Sequence, residues 1–255
     1  MPNENRKRAP SDEQTELLFL QAMKHMDATI KNLLMQLCES QGRVTGEVIV
    51  GGFSQKGPAI AVVLKLVQLV SNLRAGKLLI DHGYIYELRT TIRMLYETIE
   101  DVLFLLSRHH ADSKDDLHQR YLNSFFAEDQ DKVQYPKRYD IRGFLKKLEN
   151  NKRDDPTSWE NAIGGLYRFH SQYVHGRATR IMDLYDSKKD RFRTAGINDG
   201  EYLAQHRKGL WLVCFVAMYC FAAVRAAFKG EDWKSDIWAF AERFFETAGL
   251  GAVPD

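Results

Sequence analysis

Apolar residues recur at intervals of three and four along most of this chain, and that period restricts its fold more than any other feature does. The clearest example is the stretch YELRTTIRMLYETIEDVLFLL, whose apolar stripe consists of Leu88, Ile92, Leu95, Ile99, Val102 and Leu106. An α-helix places positions with this spacing on one face, which then packs against a core. No repeat and no Pro- or Ser-rich linker divides the 255 residues. The sequence therefore predicts an all-α fold with one helical-bundle domain of seven or eight helices.

The predicted domain covers residues 11–250 and follows a charged tail, residues 1–10, that we expect to be disordered. Within the domain, residues 177–200 lack the apolar period and carry the basic stretch SKKDRFR near their centre. This composition is typical of a surface connection. We therefore predict an irregular, mobile basic loop at residues 177–200.

The apolar run LWLVCFVAMYCFAAV at residues 210–224 raises the question of a membrane span. As a helix, this run would extend roughly 22 Å, which is less than the roughly 30 Å of the hydrocarbon core of a bilayer. It therefore predicts a buried core helix, and we expect no membrane association. A weaker alternative is a peripheral membrane role for the last helix, although Asp232, Asp236 and Glu242 disfavour docking on anionic lipid.

Cysteine usage and motif content indicate neither disulfides nor a cofactor. Cys38, Cys214 and Cys220 are too few and too scattered for a disulfide framework or a zinc site, and they are typical of buried thiols in a reducing cytoplasm. No group of His, Cys, Asp and Glu has the spacing of metal ligands. The glycine-rich segment GRVTGEVIVGGFSQKGP fits neither the P-loop nor the dinucleotide fingerprint. We therefore expect a cytoplasmic protein with no metal and no other cofactor.

The formal net charge of +2 conceals an uneven distribution along the chain. Residues 97–131 hold nine acids and three bases, whereas residues 137–153 hold seven bases and two acids. Residues 168–193 are again basic, with seven bases and three acids. If the two basic segments converge, they create a local positive field. The alternative is that the acidic and basic segments neutralise one another in the fold.

Charged residues run beside the apolar stripe in an arrangement that an isolated helix does not favour. The set consists of Arg89, Arg93, Glu97, Glu100 and Asp101. Arg89 and Arg93 stand four residues apart, as do Glu97 and Asp101, and like charges at this spacing repel each other. The pattern suggests that these side chains find partners on other elements, and an inward polar cluster, structural or functional, is one interpretation. A solvated helix face is the alternative.

The stretch RFHSQYVHGRATR, residues 168–180, places a possible phosphate site at the end of a helix. On a continuous helix, Arg168 and His175 differ by about 20° around the axis and lie roughly 10 Å apart along it. Ser171 and Gln172 fall on the same face, and Gly176 ends the helix. An arginine binds phosphate and a histidine transfers protons near neutral pH, so this strip predicts metal-independent RNA cleavage. The alternative is a capping histidine beside an ordinary ion-paired arginine.

The helix LRTTIRMLYETIEDVLFLL, taken with the later HSQYVHG, resembles a family of uncharacterised, mostly prokaryotic all-helical proteins. The pattern of that family is an Arg/Glu-bearing helix followed by a Ser-x-x-x-His-Gly element. The matching positions here are Arg93, Glu97, Ser171, His175 and Gly176. The resemblance covers about residues 60–225.

That family is in turn distantly similar to the HEPN superfamily, many of whose members are dimeric ribonucleases of toxin–antitoxin and phage-defence systems. Their Arg-x(4–6)-His motif corresponds to Arg168 and His175, which have six residues between them. The resemblance implies a HEPN-like core, an RNA substrate, a protein antitoxin or regulator as partner, and a homodimer.

Two hypotheses follow. In the first, the protein is a HEPN-like effector directed at RNA, a metal-independent endoribonuclease with Arg168 and His175 as catalytic residues. Arg93, Glu97 and Ser171 would then support the site. In the second, the protein is a non-catalytic helical binding or regulatory module, in which the Arg/Glu/His cluster holds helices together.

Overall fold

The computed structural model describes residues 10–40, 56–107, 116–127, 135–150, 170–229 and 236–250, and it confirms the all-α prediction. Its helices are α1 (Pro10–Ser40), α2 (Pro58–Asp81), α3 (Ile85–Ser107), α4 (Asp116–Phe125), α5 (Arg138–Asn150), α6 (Ala178–Ile181), α7 (Gly200–Lys229) and α8 (Asp236–Thr247), and residues 170–174 are also helical. The predicted disordered tail lies outside the described residues except for Pro10, which is the first residue of α1.

Helices α2, α3 and α7 form the centre of the bundle, and α1 and α8 pack on them. Helix α5 packs on α3, and α4 packs on α2. The stripe predicted on α3 is buried along its whole length, from Leu88 to Leu106. Burying one Leu or Ile side chain contributes about 1.5–3 kcal/mol to the free energy of unfolding, so this stripe is a principal source of stability.

In the described part of the chain, two helices are long and apolar enough to cross a membrane when judged by length and composition alone, Pro58–Asp81 and Gly200–Phe228. Both also supply the core. Leu66 and Leu73 of α2 are fully buried, as are Leu210 and Phe221 of α7. The run at residues 210–224 thus lies inside one long core helix, although its composition fits a membrane span equally well.

Residues 177–200 are more regular than the sequence predicts. The one-turn helix α6 leads into a 3-10 turn, Met182–Leu184, and then into a hairpin of two-residue strands, β1 (Tyr185–Asp186) and β2 (Arg191–Phe192). The strands pair antiparallel, with Tyr185 opposite Phe192. The prediction of an irregular loop was therefore wrong for this part, because strands of two residues are too short to produce a visible alternation in the sequence.

The end of this segment is fastened to the turn between α2 and α3. The side chain of Ile197 is buried, and its backbone N–H donates to the carbonyl of Gly83 at 2.9 Å. Gly83 has φ +76°, and a Cβ at this position would lie 2.3 Å from the carbonyl oxygen of Ile197. Only glycine fits this contact without displacing backbone. The α2–α3 turn thereby fixes the position of the segment that precedes α7.

Candidate functional site

The Ser-x-x-x-His-Gly element forms the C-terminal end of a helix, as the sequence predicts. The N–H of Gly176 donates to the carbonyl of Tyr173 at 3.0 Å, and the N–H of Arg177 donates to that of Gln172 at 3.2 Å. This pair of bonds is the Schellman motif, with Gly176 at φ +57° in the position that favours glycine. His175 is therefore the last residue before the chain reverses, and its side chain is exposed.

Arg93, Glu97 and Ser171 meet between α3 and the helical residues 170–174. The Nε of Arg93 donates to Oε1 of Glu97 at 3.1 Å, one turn along α3. A second guanidinium nitrogen of Arg93 donates to the Ser171 hydroxyl at 3.4 Å. The side chain of Arg93 is 15% exposed, so this group lies at the margin of the core. Arg93 thus contacts two other residues that the family pattern singles out.

His175 adjoins this group through the backbone. Its N–H donates to the carbonyl of Ser171 at 3.2 Å, which places the two side chains one helical turn apart. Among the residues that the structure describes, none forms a hydrogen bond or ion pair with the His175 ring. The imidazole therefore faces solvent beside a guanidinium that is already hydrogen-bonded. Arg168, the predicted partner of His175, lies outside the described residues.

Glu100 and Asp101 of α3 belong to a separate, inward cluster. Glu100 accepts two hydrogen bonds from Arg142 of α5, at 2.8 and 2.9 Å, and Asp101 binds Arg138 of α5 and Lys65 of α2. Both carboxylates are buried. Burial raises the pKa of Glu100, and Arg142 opposes that shift. This part of α3 is therefore not a solvated face, and the acidic and the first basic segments neutralise each other here.

Two buried histidines accompany Arg89 on the inner side of the site, and sequence reasoning did not single them out. His170 is 1% exposed, with its ring centre 6.2 Å from that of Tyr96, and His206 of α7 is 4% exposed. Burial, reinforced by the positive charge of Arg89, lowers the pKa of His170 to about 3 and that of His206 to about 4. Both imidazoles are therefore neutral at physiological pH.

Tyr173 joins this inner group to the surface. The guanidinium of Arg89 lies 5.8 Å from the centre of the Tyr173 ring, and that of Arg180 lies 5.4 Å from it. The Tyr173 hydroxyl donates to Asp183 at 3.0 Å. Burial and this hydrogen bond raise the pKa of Tyr173 to about 12, so the phenol stays protonated. Arg180 also donates to Gln172 at 3.0 Å. This bond holds α6 against the end of the helical residues 170–174, which we call the site helix.

The second basic segment consequently lies next to His175. Arg177 comes two residues after His175 and is exposed, and Arg180 is half-buried one turn further on. Within the part of the chain that the structure describes, no group of three or more His, Cys, Asp and Glu side chains has the geometry of a metal site. The groups described here are able to transfer a proton, through His175, and to bind anions, through the arginines.

Comparison with known proteins finds no relative of this chain. The chain matches no protein-family model, no curated protein and no solved structure.

Proposed function

We propose that this protein is a HEPN-like effector directed at RNA, and that Arg168 and His175 catalyse metal-independent endonucleolytic cleavage in a prokaryotic defence or toxin–antitoxin system. The observation that carries the proposal is the exposed imidazole of His175, held at a capped helix end one turn from Ser171, whose hydroxyl accepts a hydrogen bond from Arg93. A general base must reach the proton that it removes, and this ring is open to a substrate.

The reaction fits these groups without a cofactor. His175 accepts the proton of a ribose 2′-hydroxyl, the 2′-oxygen bonds to the adjacent phosphorus, and the bond from phosphorus to the 5′-oxygen breaks. The proton then passes to the 5′-oxygen, which leaves a 2′,3′-cyclic phosphate and a 5′-hydroxyl. A guanidinium stabilises the charge that develops on the phosphoryl oxygens, which is the role that we assign to Arg168. The role that we assign to Arg93, Glu97 and Ser171 is to position the helix that ends at His175.

The test is RNA cleavage by the purified protein in the presence of EDTA, with His175→Ala and Arg168→Ala compared with wild type. Removing a general base costs on the order of 10²- to 10⁴-fold in rate, so we expect His175→Ala to lose at least 100-fold. Cyclic phosphate ends should accumulate in the wild-type reaction. His25→Ala is the matched control, because His25 is an exposed histidine on α1. Cleavage that survives His175→Ala would refute the assignment.

A second candidate is a non-catalytic helical binding module. The observation in its favour is that Arg93 is already engaged by Glu97 and Ser171, so this guanidinium ties two helices together. A purely structural group predicts that Arg93→Ala lowers the melting temperature and that the protein cleaves no RNA under any of these conditions. The same cleavage assay therefore separates the two candidates.

A further inference from the structure

The hairpin at residues 185–192 presents positive charges that no carboxylate within the described residues neutralises. Lys188, Lys189 and Arg191 are exposed and form no ion pair there. Both carboxylates of the hairpin already accept hydrogen bonds from neighbouring groups. Asp186 accepts from Arg193 at 3.2 Å and from the backbone N–H of Lys188, and Asp190 accepts from the hydroxyl of Tyr185. The outward charge of this element is therefore positive.

An aromatic side chain stands among these charges. Phe192 is 49% exposed, although it is a large apolar residue, and it faces Tyr185 across the two strands with ring centres 5.4 Å apart. Tyr185 supports one side of the Phe192 ring, and the exposed remainder is available to another planar group. A half-exposed aromatic ring flanked by unneutralised cations is the combination that binds single-stranded nucleic acid.

A groove runs from this ring to the start of α7. Its volume is about 680 Å³, and its walls include Lys189, Arg191, Phe192 and Arg193. Asp199, at the far end, is engaged as the helix cap, because its carboxylate accepts from the backbone N–H groups of Glu201 and Tyr202 at 3.1 and 3.2 Å. The groove is large enough for a ligand of nucleotide size, since small-molecule sites occupy roughly 300–1,000 Å³.

The groove is fixed relative to His175 by short contacts. Tyr173, two residues before His175, bonds Asp183, and the N–H of Arg193 donates to the carbonyl of Leu184 at 2.8 Å. The site helix, α6 and the hairpin therefore follow one another as a connected surface.

We propose that this groove binds single-stranded RNA, with one base stacked on Phe192 and the adjoining phosphates held by Lys189 and Arg191. This proposal rests on the proposed function, and it adds the surface that holds the strand beside His175. The stacked aromatic ring favours RNA over an acidic peptide or a lipid headgroup, which offer no base.

The experiment measures anisotropy of a short fluorescent single-stranded RNA with the full chain carrying His175→Ala, so that cleavage does not interfere. Base stacking on an aromatic side chain corresponds to roughly 5- to 150-fold in affinity. We expect that loss in Phe192→Leu, which keeps an apolar contact to Tyr185 without a planar ring. Phe192→Tyr should restore binding. Lys189→Gln with Arg191→Gln should reduce the salt dependence, expressed as log K against log salt, by about 1.4.

The matched control is Lys137→Gln with Lys147→Gln. It removes the same charge from two exposed positions, one just before α5 and one within it. An equal loss of RNA affinity in this control would show that only overall charge matters, and would overturn the proposal. So would RNA binding that is unchanged in the hairpin variants. If the protein binds phosphatidylserine vesicles through Arg191 and does not bind RNA, the assignment to RNA is also overturned.

Failure of this proposal is distinguishable from failure of the proposed function. RNA binding could depend on Phe192 while the protein with His175 intact never cleaves RNA. That result would support RNA binding in the groove and refute the proposed nuclease activity. If cleavage depends on His175 while binding is indifferent to the hairpin, the nuclease stands and the groove is refuted.

Discussion

Two constraints meet at Gly83, a left-handed backbone and a backbone contact with Ile197. A non-glycine residue in the left-handed region costs about 1–2 kcal/mol, and a Cβ here would also lie 2.6 Å from the nitrogen of Ile197. We expect Gly83→Ala to lower the free energy of unfolding by at least about 2 kcal/mol, as measured by urea denaturation. Gly143→Ala is the control, since no other atom lies within 4 Å of its would-be Cβ and it sits within helix α5. That variant should be as stable as wild type or up to about 1 kcal/mol more stable.

At the scale of single residues, some features of the site could be predicted from the sequence and others could not. The end of the site helix at Gly176 was predictable, because a glycine after a run of helical period has a local cause. The burial of His170 and His206 was not predictable, because it depends on which face of α7 packs against the site helix. The family pattern is what singled out Arg93, Glu97 and Ser171. The apolar period alone gives no reason to expect contacts among them.

At the scale of elements, α5 is anchored to α3 by ion pairs as well as by apolar packing. Arg142 donates two hydrogen bonds to Glu100, whose side chain is 5% exposed, whereas that of Arg142 is 30% exposed. Removing Arg142 would leave a buried carboxylate without this partner. Since the arginine is partly in contact with water, we expect Arg142→Ala to lower the free energy of unfolding by about 1–3 kcal/mol in urea denaturation.

The exposed pair Arg74–Asp27 provides a matched comparison for this effect. Its side chains are 51% and 47% exposed, so Arg74→Ala should change the free energy of unfolding by less than about 1 kcal/mol. The double variant Glu100→Leu with Arg142→Leu should recover most of the loss seen in Arg142→Ala, because it removes the carboxylate that Arg142→Ala leaves without this partner. Equal effects of Arg74→Ala and Arg142→Ala would contradict the anchoring role.

The same scale explains which elements were predictable. Long helices such as α3 and α7 contain enough turns for the 3.6-residue period to be unmistakable. The hairpin has two residues per strand, and its conformation depends on Ile197 and Gly83, which lie elsewhere in the sequence. A contact between distant segments leaves no periodic trace, so the hairpin was predicted only as a loop.

At the scale of the whole molecule, the uneven charge distribution has two different outcomes. The acids of α3 take up Arg138 and Arg142 from the first basic segment, so those charges stabilise the fold. The second basic segment keeps Lys188, Lys189 and Arg191 unneutralised by described residues, next to the proposed RNA groove. A net charge near zero therefore coexists with one face that can attract a polyanion.

Global stability should also depend on pH through the two buried histidines, His170 and His206. The unfolded chain protonates a histidine near pH 6.5, whereas the folded chain does so near pH 3 for His170 and pH 4 for His206. Between these values the unfolded state binds more protons. Stability is therefore fully present above about pH 6.5 and declines as the pH falls. Glu100 acts in the opposite direction above pH 4.5, because its raised pKa retains a proton in the folded state.

We expect the free energy of unfolding to fall by up to about 1.4 kcal/mol per pH unit for each histidine over this window, since one pKa unit corresponds to that energy. His206→Gln should remove one of the protons that the unfolded chain takes up in excess of the folded chain. The free energy of unfolding, measured by urea denaturation, should therefore fall less steeply from pH 6.5 down to pH 4. His25→Gln, at an exposed position of α1, is the control and should keep the wild-type slope. If His206→Gln retains the full slope, His206 binds protons equally in both states, and the neutral interior between α7 and the site helix is not a source of stability.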